Sequence, residues 1–92
     1  MTDSGTSIQA GLTAMNNGDP ASAARIFRNV LASSPRDPEL LHLAALAWIQ
    51  SDRQSRGRKF LQKSLKLAPN NPDANNTLGV MLNQEGNSSE AM

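Results

Sequence analysis

Residues able to carry out acid-base, nucleophilic or metal chemistry are few in this chain. The single histidine, His42, lies three positions after Glu39, a spacing that puts both side chains on one face of a helix. Such a pair is suited to proton transfer or to filling two coordination positions of a metal. A metal needs further ligands, yet the chain has no cysteine and its eight acidic residues are scattered. We therefore predict no catalytic, cofactor-binding or metal-binding residue, and expect His42 to line a groove or to be solvated.

Basic residues concentrate in one segment of the chain. Six of the nine lie between Arg53 and Lys66, with no acidic residue among them. Steps of three and four positions place Arg56, Lys59, Lys63 and Lys66 on one helix face, opposite an apolar face. The interpretation that we favour is a solvated outer face. The alternative is an electrostatic contact with an acidic protein, a lipid head group or nucleic acid. The net charge of only +1 and the lack of an exposed aromatic residue disfavour nucleic acid.

The elements that must position these residues repeat along the chain. Pro35 and Pro69 lie 34 residues apart, and the segments 4–37, 38–71 and 72–92 align position by position. Three columns of this alignment are restricted in side-chain size. Two hold only small residues, namely Gly11, Ala45 and Gly79 in one and Ala23, Gly57 and Ala91 in the other. The third holds the bulky residues Phe27 and Leu61. We predict that paired antiparallel helices approach closely at the two small columns, Gly11 facing Ala23 and Ala45 facing Gly57. The bulky column then fills the wedge beyond the point of contact.

Helix boundaries are marked by the same pair of residues three times. Asp19-Pro20, Asp37-Pro38 and Asn71-Pro72 each place an N-cap acceptor before a proline, which is well suited to the first position of a helix. Turn residues recur at Gly18, Asp52 and Gly86. We predict helices at about 5–16, 20–33, 38–51, 54–67 and 72–85, with a sixth helix of one turn beginning near Ser88.

This pattern of small, bulky and proline columns resembles the tetratricopeptide repeat (TPR), a helix-turn-helix unit of 34 residues. The resemblance implies an all-α fold: a right-handed stack of antiparallel helix pairs, with five helices and a one-turn stub. We predict a single domain over 1–92, with repeats at 4–37 and 38–71 and a partial repeat at 72–92. Trp48 takes the place of a usual tyrosine and is expected in the core.

In the TPR family the first helices of successive repeats line a concave groove that receives a peptide or a helix. The resemblance assigns the following residues to that groove: Ile8, Gln9, Leu12, Met15, Glu39, His42, Leu43, Leu46, Ile49, Asn76, Thr77, Val80 and Asn83. Peptide-binding members often carry asparagine at the sixth position of the repeat, where this chain has Gln9, Leu43 and Thr77, so no carboxylate clamp is expected. The apolar members of the set are suited to receiving an amphipathic helix, or else pack on adjacent repeats or on another copy of the chain.

The third repeat stops within its second helix, which leaves two alternatives. The chain is a fragment of a longer protein, which we favour, or a second copy covers its end as a homo-oligomer. The segments 38–43 and 76–80 also resemble the amino-terminal repeats that precede bacterial sulfotransferase or glycosyltransferase domains. We predict an interaction or assembly scaffold without catalysis. The alternative is the amino-terminal segment of such an enzyme, with its chemistry outside this chain.

Composition sets the remaining expectations. With 92 residues, 38% of them hydrophobic and 3% aromatic, the chain suits one small helical domain with a modest core of leucine and alanine. Residues 1–8 show no basic and apolar pattern of a signal peptide, and no apolar run approaches the length of a membrane span. We predict a cytoplasmic location, a protein or peptide partner and no membrane contact.

Overall fold

The chain folds into five consecutive α-helices. The computed structural model describes the backbone of residues 4–90 and the side chains of residues 7–83. The helices are α1 (Ser4–Asn16), α2 (Pro20–Leu31), α3 (Pro38–Gln50), α4 (Gln54–Leu67) and α5 (Pro72–Glu90). Each packs against the next along the chain, most extensively α3 on α4 and least α4 on α5. The predicted all-α helical stack is confirmed. None of the helices in the described range is long and apolar enough to cross a membrane.

Three of the helices begin at the predicted N-caps. The side-chain oxygens of Asp19, Asp37 and Asn71 accept hydrogen bonds of 3.0–3.3 Å from backbone N–H groups two or three residues later. The bonds from Ser22 hold the pKa of Asp19 below its usual value. Helix α4 differs, because its N-cap residue is Arg53 and no side chain caps it.

The two interhelical turns within repeats depend on left-handed backbone. Gly18 has φ +79° and Asp52 has φ 67°, and these residues occupy the same column of the 34-residue period. A residue in this conformation ends a helix and lets the chain reverse. Asp52 tolerates the conformation better than most side chains, which explains why the column does not require glycine.

The interior consists of two clusters that meet at α3. The first is formed by α1, α2 and α3, and its buried members are Ala23, Ala24, Phe27, Val30, Leu31, Leu40, Leu41, Ala44 and Ala47. The second joins α3, α4 and α5 through Ala45, Leu61, Ala74 and Met81. Buried Ser64 adds a polar link, since its hydroxyl donates to the Pro38 carbonyl at 2.6 Å. This bond ties α4 to the first turn of α3.

The small columns mark close helix contacts. A Cβ atom placed on Gly57 would lie 2.6 Å from Ile49 Cγ1 and 3.0 Å from the Ala45 carbonyl oxygen, so α3 and α4 meet here as predicted. At Gly11 the three nearest atoms to such a Cβ all belong to the ring of Phe27, the closest at 2.5 Å. The bulky column therefore fills the space left by the small one in the first repeat.

The predicted turn at 86–87 and the sixth helix are wrong, because α5 continues to Glu90. A one-turn helix buries too little to be stable alone, whereas each residue added to an existing helix gains a backbone hydrogen bond. The surroundings of Gly79 are consistent with a continuous α5, since a Cβ placed at Gly79 would meet nothing within 4 Å. Ala91, assigned to the small column that should face Gly79, lies outside the described residues.

Candidate binding cavity between α3 and α5

Residues of α3 from Glu39 to Leu46 and the first two turns of α5 line an open cavity of about 410 Å³, here called the α3–α5 cavity. Two leucines of α3 provide its apolar surface, and six polar side chains of α3, α5 and the preceding loop provide the rest. The lining residues are Glu39, His42, Leu43, Leu46, Asn71, Asp73, Asn76 and Thr77.

A chain of hydrogen bonds joins the two helices at this cavity. His42 Nε2 lies 2.9 Å from Thr77 Oγ1, and that hydroxyl donates to the Asp73 carbonyl at 3.0 Å. Because Thr77 has given its one proton to the carbonyl, it accepts from the imidazole. Neutral His42 therefore carries its proton on Nε2 and keeps Nδ1 as an acceptor.

The environment of His42 favours the neutral ring. The residue is only 9% exposed, so it is not the solvated residue that the sequence allowed. Burial lowers the pKa of His42, and the nearby charges of Asp73 and Glu39 oppose that shift without cancelling it. Glu39 lies on the same helix face, but the hydrogen-bond partner of His42 Nε2 is Thr77. His42 thus joins α3 to α5.

We expect the free energy of unfolding to fall as the pH is lowered from 7.5 to 5.5. The folded-state pKa of His42 lies below the unfolded value of about 6.5, so the unfolded chain binds a proton more readily. The stability from the neutral ring is fully present above that value and is lost as the pH falls toward the folded pKa. Urea denaturation across this range measures the effect. His42→Gln retains an N–H donor but should lose this pH dependence, and equal slopes in both proteins would contradict the assignment.

The rim of the cavity is acidic. Glu39 and Asp73 occupy the first turns of α3 and α5, where a carboxylate interacts favourably with the helix dipole, and both are exposed. Among the described residues, no lysine or arginine lines the cavity. With His42 neutral near pH 7, the charge that an incoming group meets here is negative.

The structure brings together about half of the residues assigned to the groove. Glu39, His42, Leu43, Leu46, Asn76 and Thr77 line the cavity. Two lining residues, Asn71 and Asp73, are absent from the predicted set. Asn71 was treated only as an N-cap, and the available signal for both was their place at the start of α5. Leu46 is half-buried and belongs to neither core cluster.

The remaining groove residues lie elsewhere. Ile8, Leu12 and Met15 of α1 pack against the first core cluster, and Gln9 beside them is exposed. Ile49 packs against the second cluster and against Gly57. Val80 and Asn83, further along α5, are exposed.

The basic residues of α4 form a second surface feature. Arg56, Lys59 and Lys63 surround Phe60 in an apolar recess of about 190 Å³, and Lys66 is exposed near the end of the same helix. The guanidinium of Arg56 also lies 5.1 Å from the ring centroid of Trp48, which is half-buried against the first core cluster. The predicted solvated face is therefore partly organised around aromatic rings.

No metal centre is formed by the residues that the structure describes, since no three His, Cys, Asp or Glu side chains come close enough together to hold an ion. The cavity accordingly offers hydrogen-bonding, charged and apolar surface for binding.

The sequence matches a known protein family. A family model described as Tetratricopeptide repeat matches residues 14–78, which is more than half of the chain. The match runs from the last turn of α1 into α5 and includes all eight residues that line the α3–α5 cavity. No curated protein matches the chain.

Proposed function

Because the chain belongs to the tetratricopeptide repeat family, whose repeats generally mediate interactions between proteins, we propose that it is an interaction module without catalytic activity. The α3–α5 cavity receives one segment of a partner protein. The observation that carries this proposal is a single cavity of about 410 Å³ that combines leucine surface with exposed carboxylates.

The lining defines the chemistry of the partner segment. Leu43 and Leu46 favour an apolar anchor such as leucine or methionine. Glu39 and Asp73 favour a lysine or arginine next to that anchor, because the neutral His42 adds no positive charge. The side-chain amide of Asn76 has both donors and an acceptor for the backbone of the segment, whereas Asn71 offers its N–H donors because its oxygen already caps α5. We propose a peptide or helix with an apolar residue beside a basic one.

Leu46 is the best position for testing this proposal. It lines the cavity but is absent from both core clusters, so replacing it changes the binding surface while leaving the helix packing intact. A matched control is Leu67, which is 45% exposed near the end of α4 and does not line the cavity. Leu46→Glu and Leu67→Glu make the same chemical change inside and outside the proposed site.

A random peptide library panned against the chain should yield peptides with an apolar residue next to lysine or arginine. For a selected peptide, Leu46→Glu is expected to raise Kd by about tenfold or more, as for a central interface residue. Leu67→Glu should change Kd by less than about twofold, with helicity by circular dichroism unchanged in both. Selection of acidic peptides, or equal losses in the two variants, would refute the proposal.

The proposed attraction between the acidic rim of the cavity and a basic peptide can be tested separately. Glu39→Gln removes one rim carboxylate and should weaken peptide binding at low salt more than at high salt, because exposed charges are screened within about 10 Å at 0.1 M. Light scattering of the chain alone distinguishes a second copy as the occupant: a dimer dissociated by Leu46→Glu would assign the cavity to self-association.

A further inference from the structure

A separate recess lies where α2 meets the end of α3 and the start of α4. Its volume is about 260 Å³, and it shares no lining residue with the α3–α5 cavity. Its lining consists of Ala21, Arg25, Arg28, Trp48, Ser51 and Arg53, and we call it the arginine recess.

Three guanidinium groups make this recess strongly basic. No acidic residue lines it within the part of the chain that the structure describes. The charge of Arg25 contributes to the lowered pKa of Asp19, but that carboxylate is fully exposed and already accepts the Ser22 N–H. Like charges around one small space repel each other, and a multivalent anion relieves that repulsion. Each guanidinium has five N–H donors in a fork that matches the oxygens of a phosphate or a carboxylate.

Trp48 and Ser51 are the other lining residues that carry polar side-chain atoms. The Trp48 Nε1 is buried and has no hydrogen-bond partner among the described residues. Because this nitrogen is shielded from solvent, the indole contributes ring surface to the recess rather than a hydrogen-bond donor. The Ser51 hydroxyl donates to the Ala47 carbonyl at 2.7 Å, which leaves its oxygen as an acceptor only. The donors available to a ligand are therefore the guanidinium groups of the three arginines.

We propose that the arginine recess binds a phosphate monoester, with Arg25, Arg28 and Arg53 donating to the phosphate oxygens. A dianion with three terminal oxygens matches three guanidinium groups better than a carboxylate does. The side chains of Trp48 and Ala21 supply apolar surface for the organic part of the ligand. The same chemistry is present in a free small phosphate ester and in a phosphorylated side chain of another protein.

The chain carries its own probe for this site, because Trp48 is its only tryptophan. Titration with phosphoserine is expected to give a saturable change in tryptophan fluorescence with a Kd of about 1 mM or below. Sodium chloride at the same ionic strength should give no saturable change. An equal response to chloride would overturn the proposal. A phosphoserine peptide that binds more tightly than free phosphoserine would identify a protein as the source, and equal affinity would identify a small molecule.

Three variants test the residues. Arg28→Gln should weaken phosphoserine binding by about tenfold, whereas Arg36→Gln, an exposed position outside the recess, should leave it unchanged. Arg53→Asp separates binding from folding, because aspartate at the uncapped start of α4 should raise Tm by about 4–8 °C while reducing the phosphoserine response. Wild-type affinity in Arg28→Gln, or equal losses in Arg28→Gln and Arg36→Gln, would show that no specific site exists.

Discussion

Replacing Phe27 with alanine is expected to lower the free energy of unfolding by about 3–5 kcal/mol, which is the usual cost of removing a buried aromatic side chain. Phe27 is 0% exposed and lies at the centre of the cluster that joins α1, α2 and α3. Folded proteins are stable by only about 5–15 kcal/mol, so a substantial part of the stability would be lost. Urea denaturation followed by circular dichroism measures the change. A loss below about 1 kcal/mol would show that the cluster refills the space.

Gly11 provides a partner for a double-mutant cycle with Phe27. In the wild-type chain, Gly11→Ala should destabilise by about 1–3 kcal/mol, because the new Cβ would lie 2.5 Å from the Phe27 ring. In a Phe27→Leu background the shorter side chain frees that space. The same Gly11→Ala change should then cost less, or stabilise by up to about 1 kcal/mol through helix propensity. Additive effects of the two changes would contradict direct contact as the cause.

Replacing Gly57 with valine should destabilise the chain by about 3 kcal/mol, at the upper end of the usual overpacking cost. The added carbons would meet Ile49 Cγ1 and, more importantly, the Ala45 carbonyl oxygen, which cannot move unless α3 moves. Because α3 carries His42 and Leu46, the shift would also disturb the α3–α5 cavity. Thermal and urea unfolding measure the stability change.

Gly79 is the matched control for Gly57. It also occupies a column of small residues in the repeat, and it lies inside a helix, α5. A Cβ there would meet nothing within 4 Å. Gly79→Val should therefore change the free energy of unfolding by less than about 1 kcal/mol, through helix propensity alone. Similar losses from the two substitutions would mean that the cost at Gly57 arises from valine in a helix rather than from close packing.

Much of the fold is predictable from the sequence because its signals are local and repeat. Asp37 before Pro38 and Asn71 before Pro72 mark helix starts by capping chemistry that involves only neighbouring residues. The period of 34 residues adds one nonlocal result, the approach of Gly57 to Ala45, since only small residues permit two helix backbones to come so close.

The same repeat also gave one wrong prediction, at the turn column. The column alignment placed a turn at Gly86, as at Gly18 and Asp52, but α5 remains helical there. A turn is stabilised when the following helix packs back on the preceding one. In α5 the backbone instead continues as a helix to Glu90, where each added residue gains a backbone hydrogen bond.

For the candidate sites, the sequence by itself determined which chemical groups are present and which helix faces carry them. The acidic first turns, the leucines of α3 and the basic face of α4 all follow from helical periodicity. Only the tertiary structure decided which groups share a space. The bond from His42 to Thr77 spans 35 positions, and the arginine recess joins α2 to the α3–α4 turn. Such pairings depend on the angle and depth at which helices pack, and these are set by many side chains together.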